Sequence, residues 1–513
     1  MAFARTFSVA LVGIKGHIVE VEADISQALP GFVLLGLPDT SLSEAKDRVR
    51  SAAKNSGLPL PQRKLTINLT PATLPKRGSA FDVAMVMAAL QAAGNIKVPA
   101  STLFLGELGL DGSLRPIVGV LPAVHTAVSA GFQRIIVPEQ NAAEASLVPG
   151  AQVLGFSCLA QVLLSCGAEE KDLKYPSQPS QNPSLQQEEV QVFEKDMADV
   201  AGQAEGRFAL EIAAAGGHHI IFKGSPGSGK TMLAERLCSI LPALDDQAAM
   251  EVTAIHSLCS GGAQRRQLIR LPPFEAPHHS ASAPAILGGG SGIPRPGAIS
   301  RAHRGVLFLD EAPEFKRHVL DALRQPLETG TILIDRSAAS AQYPASFQLV
   351  LAANPCLCGM NIGRGLECTC SVQQRRNYAA RLSGPLLDRI DLQVIVPHIT
   401  GRELGQEQVN EASSSIRKRV IAARAAQKER LAPFGIKNNA QAQGSILRGP
   451  LKLPQELTSQ LNKALDAGWL TARGYDRVLR TAWTLADLEG ASSPQKQHID
   501  FALYFRDMAQ GKN

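Results

Sequence analysis

The spacing of apolar residues changes twice along the chain, and the changes divide it. Before about residue 170, Phe7-Ser-Val-Ala-Leu-Val12, Ile18-Val-Glu-Val21, Leu65-Thr-Ile-Asn-Leu69 and Ile135-Ile-Val137 alternate or cluster apolar side chains as strands do. Segments 41–56 and 81–93 carry theirs at helical spacing, so residues 1–170 are expected to form an α+β domain. Residues 171–190, rich in Pro, Ser and Gln, lack a repeating apolar face and are expected to be an exposed linker. Between 191 and 399 the apolar runs become short and continuous, at 219–223, 306–309 and 349–353, as in strands buried on both faces of a parallel sheet. From 400 to 513 the pattern is helical, with Leu461, Leu465, Val478, Leu479, Leu485 and Leu488 on amphipathic faces, and predicts an α-helical lid.

The first of those runs leads into Gly224-Ser-Pro-Gly-Ser-Gly-Lys-Thr231-Met232, which has the spacing of a phosphate-binding loop between a strand and a helix. Glycines let the backbone turn its amides toward phosphates, Lys230 reaches the β and γ phosphates, and Thr231 ligates Mg²⁺. The run Val306-Leu-Phe-Leu309 ends in Asp310 and Glu311. Asp310 is expected to hold the metal through water and Glu311 to polarise the attacking water. Asn354 ends the next run and is expected to face the γ phosphate or that water. ATP hydrolysis with Mg²⁺ is the chemistry these residues predict.

At 513 residues the chain exceeds the size of a single core, and 45% hydrophobic residues suffice for several. No apolar run reaches membrane-spanning length and the first residues lack a signal-peptide pattern, so a soluble cytoplasmic protein without a membrane partner is expected. Residues 401–513 hold 17 Lys/Arg against 11 Asp/Glu, a net +6 equal to that of the whole chain. This excess suggests a polyanionic partner, although the basic helix from Arg417-Lys-Arg419 to Arg430 also reads as a solvated face. Of eight cysteines, Cys356, Cys358, Cys368 and Cys370 form two C-x-C pairs across a glycine-rich loop. Four thiolates so placed predict a structural Zn²⁺ knuckle, the alternative being four reduced thiols in a loop. The other four cysteines read as core residues.

The succession of strand-borne motifs resembles the AAA+ ATPases. The whole chain, from Phe7 to the final helix and including Pro277-His-His-Ser280, Gly288-Gly-Gly290 and Pro294-Arg-Pro-Gly297, resembles the ComM/YifB family of bacterial magnesium-chelatase-like AAA+ proteins associated with competence. The resemblance implies a multidomain α/β architecture: a Lon protease-like α+β domain of the ribosomal S5 domain 2-like kind, an AAA+ P-loop core and a helical lid. It also implies a homo-hexamer that moves on single-stranded and branched DNA, alongside recombination proteins, and promotes branch migration during natural transformation. A chelatase-type ATPase acting on a metal-tetrapyrrole or protein substrate is the alternative.

Within that resemblance Arg389, in Leu386-Leu-Asp-Arg-Ile-Asp391, matches the arginine finger supplied to a neighbouring subunit. The competing reading is an internal ion pair with Asp388 or Asp391. Arg473 resembles the second sensor arginine, with Arg477 and Arg480 as rivals, and Asp199 and Gln203 match the segment near the adenine. Pro75-Lys-Arg-Gly-Ser79-Ala resembles Lon's nucleophile segment with one residue missing, and Leu121 stands where the catalytic lysine belongs. A serine without its base predicts a scaffold instead of a peptidase. Two insertions are expected to face DNA: one at about 274–300 with His278 and His279, which also read as metal ligands or packed loop residues, and a hairpin pairing Thr331–Asp335 with Phe347–Val350 around Arg336.

Overall fold

The computed structural model describes residues 2–36, 39–76, 78–176, 195–259, 265–290, 294–336, 340–361, 367–399 and 410–507. In the N-terminal domain the strands Ala2–Val12 and Lys15–Ser26 form a hairpin, and Lys15–Ser26 pairs antiparallel with Lys64–Thr70, which takes Gly31–Leu35 in parallel. Alternate residues Val19, Val21, Ala23, Leu65, Ile67 and Leu69 point inward and are fully or almost fully buried. They meet the helix Asp82–Ala92, which is apolar nearly all round and buried accordingly. A parallel sheet of Thr102–Phe104, Arg134–Pro138 and Gln152–Phe156 completes the domain. The domain runs past the predicted boundary: Leu173 is buried in its core and the Lys174 amide donates to the Ser56 carbonyl at 3.0 Å. The linker reading therefore fails for its first residues, and positions 177–190 lie outside the described residues.

The central domain is built on five parallel strands in the order Phe274–Glu275, Val306–Leu309, Gln348–Ala353, Ile220–Lys223, Leu392–Ile395. Its alternating residues feed two apolar clusters. Ile220, Phe222, Val306, Phe308, Val350 and Ala352 face one side, and Ile221, Leu307, Leu309, Leu349 and Leu351 the other. The C-terminal helices Ser413–Leu431 and Ala472–Leu488 bury Val420, Ala423, Val478 and Ala482 in the first cluster. The predicted lid thus shares the core of the central domain.

That packing corrects the reading of the basic helix. Arg424 is half-buried and donates to the Ala214 carbonyl at 2.7 Å, Arg417 donates to Ser239, Arg419 pairs with Glu211 at 2.6 Å and with Glu411, and Arg430 pairs with Asp487 at 2.6 Å. Four of its arginines tie the helix to the protein, so they form neither a solvated face nor a free nucleic-acid surface.

The hairpin also pairs differently from expectation. Thr331–Asp335 pairs with Ser340–Pro344, whereas Phe347–Val350 leads into and joins the central sheet. The four-residue turn this leaves is shorter than the one predicted, and its residues 337–339 lie outside the described set. The two insertions form one unit: Tyr343 Oη donates to the Pro294 carbonyl at 2.5 Å, and the Arg336 side chain lies against Gly289.

Gly119 seats the N-terminal domain on the central one. Its amide donates to the Ser257 carbonyl at 3.2 Å, and the following helix Val120–Ser129 packs on Asp246–Ser257. With φ at +78°, a Cβ on Gly119 would lie 2.6 Å from Leu11 Cδ1 and 2.8 Å from Leu258 Cδ2, so only glycine fits. Gly119→Ala should destabilise this seam by about 1–3 kcal/mol. Amide exchange in 246–257 should rise before exchange in the central strands does, and unchanged protection there would contradict the assignment.

Candidate nucleotide site

All five central strands point the same way, and the carboxyl ends of three carry the predicted chemistry. After Ile220–Lys223 the chain enters the loop 224–229, with Gly227 and Gly229 at φ +77° and +91°, conformations that open its amides to one side. The helix Lys230–Ile240 follows, its N-terminus behind the loop. Lys230 is buried, and its Nζ donates to the carbonyls of Gly224 at 2.8 Å and Ser225 at 2.7 Å and to Asn354 Oδ1 at 3.2 Å. Burial draws the ammonium below its ordinary pKa, and the carboxylates of Asp310 and Glu311 act against that shift. Thr231 Oγ1 donates to Asp310 Oδ2 at 2.8 Å, which puts two hard oxygen donors where a Mg²⁺ ion beside a triphosphate would need them.

Glu311 follows Asp310 with φ at +49°, a left-handed conformation that costs a non-glycine residue on the order of 1 kcal/mol. The turn aims its carboxylate away from the strand and toward His279, whose Nδ1 lies 3.2 Å from Glu311 Oε2. His278 stacks beside His279 with ring centroids 4.2 Å apart. The histidine pair, predicted as a DNA-facing feature, thus reaches the candidate catalytic carboxylate. Its sequence carries no spacing signal for that contact, because the contact is made across the fold.

Other predicted residues fall into place less simply. Gln203 spends its amide on the carbonyls of Ser228 at 3.1 Å and Pro397 at 2.7 Å, bracing the phosphate loop from beneath. Asp199 accepts from the Asp196 amide and pairs with Arg236 at 3.3 Å, and so supports the helix that follows the loop. Both side chains thus have polar partners within the protein. His398, which the sequence did not single out, meets Ser225 Oγ.

Arg389 and Arg473 lie at the other end of the sheet. Arg389 precedes Leu392–Ile395, whose first residue pairs with Ile220, whereas the phosphate loop follows Lys223. The intervening strand alone spans about 13 Å at ~3.3 Å per residue. Arg389 pairs with Glu328 and donates to the Pro385 carbonyl at 2.6 Å, so its internal partner is neither Asp388 nor Asp391. Asp391 is taken by Arg477 at 2.5 Å and by His218, and the arginine holds its carboxyl well below the usual range against the effect of burial. Arg480 is engaged with the Ala442 carbonyl. Arg473 is the exposed one of the three lid arginines, 67% accessible and 3.8 Å from Asp388. These groups border an open cleft of about 1190 Å³ that also receives Arg304, Lys428 and Lys437.

The four knuckle cysteines converge. Their sulfur atoms all lie within 4.8 Å of one another, with Cys356–Cys358 at 3.3 Å, Cys356–Cys368 at 3.6 Å and Cys358–Cys368 at 3.7 Å. Tetrahedral zinc with Zn–S bonds of about 2.3 Å requires sulfur separations of about 3.8 Å, so the set fits the ion.

In the N-terminal domain Ser79 Oγ donates to Glu107, and Leu121 is fully buried in the apolar cluster that also takes in Ala254 of the central domain. The position that matches Lon's lysine is thus part of the cluster at the domain seam.

Three family models cover most of the chain: magnesium chelatase subunit ChlI over 196–404, subunit ChlI of Mg-chelatase over 21–141, and the magnesium chelatase subunit ChlI C-terminal region over 410–506. The uncharacterized protein Rv2897c of Mycobacterium tuberculosis is 46% identical over 514 residues, covering 99% of both chains. Competence protein ComM of Haemophilus influenzae is 40% identical over 518 residues, covering 99% of this chain and 98% of its own. A shorter match, 30% identical over 147 residues, links 27% of this chain to 19% of the Lon protease of Mycolicibacterium smegmatis. With the phosphate loop, the Lon-like domain and the helical C-terminal region all in place, the chain belongs to the ComM/YifB family of magnesium-chelatase-like AAA+ proteins.

Proposed function

We propose that the protein is a ring-forming ATPase, a homo-hexamer, that moves on single-stranded and branched DNA and drives branch migration as incoming DNA is integrated by recombination. The placement of Arg389 and Arg473 carries the ring. Both lie across the sheet from the phosphate loop of their own subunit, a placement that supports a role at a nucleotide presented by a neighbour. The exposed basic cleft around them suits the polyanion such a neighbour would offer.

In this reading Lys230 and the amides of 224–229 bind the phosphates, and Thr231 and Asp310 hold Mg²⁺. The ion supplies charge neutralisation at the β and γ oxygens. Glu311 takes the proton of the attacking water, Asn354 orients the γ phosphate, and a neighbour's Arg389 stabilises the charge that develops in transfer. His279 holds the Glu311 carboxylate at one edge of the site. Zn²⁺ occupies the cysteine knuckle as a structural ion. Among the described residues no helix is long and apolar enough to cross a membrane.

The name of the Haemophilus relative, a competence protein, supports DNA as the substrate, and so does the joined unit of the two insertions with Arg336 exposed on it. The Lon-like domain acts as a scaffold, because Leu121 offers Ser79 no base.

Lys230→Ala should abolish nucleotide binding, whereas Glu311→Gln should bind ATP normally and lose turnover by about 10²–10⁴-fold. Equal loss of affinity in both, measured with a fluorescent nucleotide, would contradict the division of roles.

Arg389→Ala should bind ATP yet hydrolyse it about 10³-fold or more slowly. Mixed with Glu311→Gln subunits it should regain activity, because each interface with Arg389→Ala donating the glutamate and Glu311→Gln the arginine is intact. Mixed rings that never exceed either parent would place Arg389 in its own subunit's chemistry.

DNA should stimulate turnover, forked junctions should be resolved only with hydrolysis, and affinity should fall steeply between 50 and 200 mM salt, as roughly 10³-fold for six phosphate contacts. Arg336→Ala should keep basal hydrolysis and lose the stimulation. Rings with full ATPase activity that ignore every DNA structure at low salt would favour a chelatase-type remodelling role.

A further inference from the structure

The cysteine knuckle is wired to the phosphate site at three points. Cys356 stands two residues after Asn354, whose amide oxygen accepts from Lys230, and Cys356 is fully buried. The Gly359 amide closes the first turn onto the Cys356 carbonyl at 3.0 Å, with φ at +77°. That turn presses on the phosphate loop so closely that a Cβ on Gly359 would lie 2.5 Å from Pro226 Cδ and 2.7 Å from Pro226 Cγ. Beyond Cys370 the helix Val372–Ala379, started by a Ser371/Gln374 capping box, brings the chain back. Its buried Tyr378 comes back alongside the Asn354 backbone, and its Arg375 donates to Asn361 Oδ1 at 2.8 Å. The excursion therefore leaves from Asn354 and returns to it, and its near turn rests on Pro226.

We propose that the metal bound by Cys356, Cys358, Cys368 and Cys370 is a brace for ATP turnover: by closing this excursion it fixes Asn354 and the Pro226 side of the phosphate loop, so hydrolysis depends on the ion. The inference rests on the reading of the cysteines as a zinc site. The physical argument is one of stiffness. A loop held by thiol contacts alone leaves Gly359 free to move off Pro226, whereas four Zn–S bonds fix Cys356 at the start of that turn and Cys358 within it relative to Cys368 and Cys370. In the proposed role of Asn354, orienting the γ phosphate for transfer, its displacement lowers kcat more than affinity. The ion contacts no substrate and acts through position, as outer-shell groups of an active site do.

The test uses the full chain, with zinc counted by mass spectrometry alongside ATP affinity, turnover and amide exchange of 224–231. Removal of zinc with a chelator, and Cys370→Ser at a partly exposed ligand, should each lower kcat by on the order of 10-fold or more. The dissociation constant for ATP should move by less than about threefold, exchange in 224–231 should rise, and added Zn²⁺ should restore the chelated wild type. Gly359→Ala should keep one zinc and still lose turnover, which separates the brace from the metal site itself. Zinc-free chain turning over at the wild-type rate, or Gly359→Ala with unchanged turnover and loop exchange, would overturn the brace. A wild-type chain that never holds zinc, even when refolded with it, would instead remove the metal reading on which the brace depends.

Discussion

The direction of the five central strands is the constraint on which the rest of the site depends. Parallel strands deliver their loops in two sets, one at each end of the sheet, and ligands gather at the carboxyl ends. Gly224, Asp310 and Asn354 each follow the last residue of a strand, so three separate segments of sequence meet around Lys230 without any further device. The same polarity sends Arg389, Asp391 and the start of every strand to the far end. A subunit so built keeps the phosphate loop at one edge of the sheet and Arg389 and Arg473 at the other, the separation on which the ring proposal rests.

Burial on both faces makes that arrangement rigid. Ile220–Phe222, Val306–Leu309 and Gln348–Ala353 are buried throughout, and the C-terminal helices close one face by sharing its core. The arginines of Ser413–Leu431 serve this docking, which explains how a basic segment can exist without a nucleic-acid partner on that helix. The cleft of Arg389 and Arg473 also collects Arg304, Lys428 and Lys437, cations the ring proposal draws on.

Sequence made the motifs legible wherever chemistry sits within one strand and its following loop. The phosphate loop, Asp310-Glu311, Asn354 and the four cysteines all obey local spacing rules, and the strands and helices of the N-terminal domain followed their apolar periods to within a few residues. Contacts between distant segments left no such trace. His279 beside Glu311, Gly359 against Pro226 and Gln203 beneath Ser228 join residues 32, 133 and 25 positions apart and depend on how loops cross above the sheet. The hairpin was mispaired for a related reason: Phe347–Val350 is an apolar β-rich run, and period alone does not tell a hairpin arm from a central strand. Arg477 and Arg480 were indistinguishable from Arg473 on a helix face until burial and the carboxylate of Asp391 separated them.

In the N-terminal domain the position that matches Lon's lysine contributes to packing. Where Lon-like chemistry needs a lysine, Leu121 fills an apolar cluster that includes Ala254, and Gly119 two residues earlier bonds Ser257. Ala254 and Ser257 belong to the helix Asp246–Ser257, which also bears Glu251. His303 at 3.1 Å and Arg304 at 3.0 Å grip Glu251 and hold its pKa down to about 2, so Glu251 stays charged beside Arg304 at any physiological pH. Those two residues open the strand Val306–Leu309 that ends in Asp310 and Glu311. The N-terminal domain, one helix, one half-buried ionic contact and one strand therefore form a continuous series of contacts that ends at Asp310 and Glu311, which places the seat of the N-terminal domain in mechanical continuity with the segment that carries them.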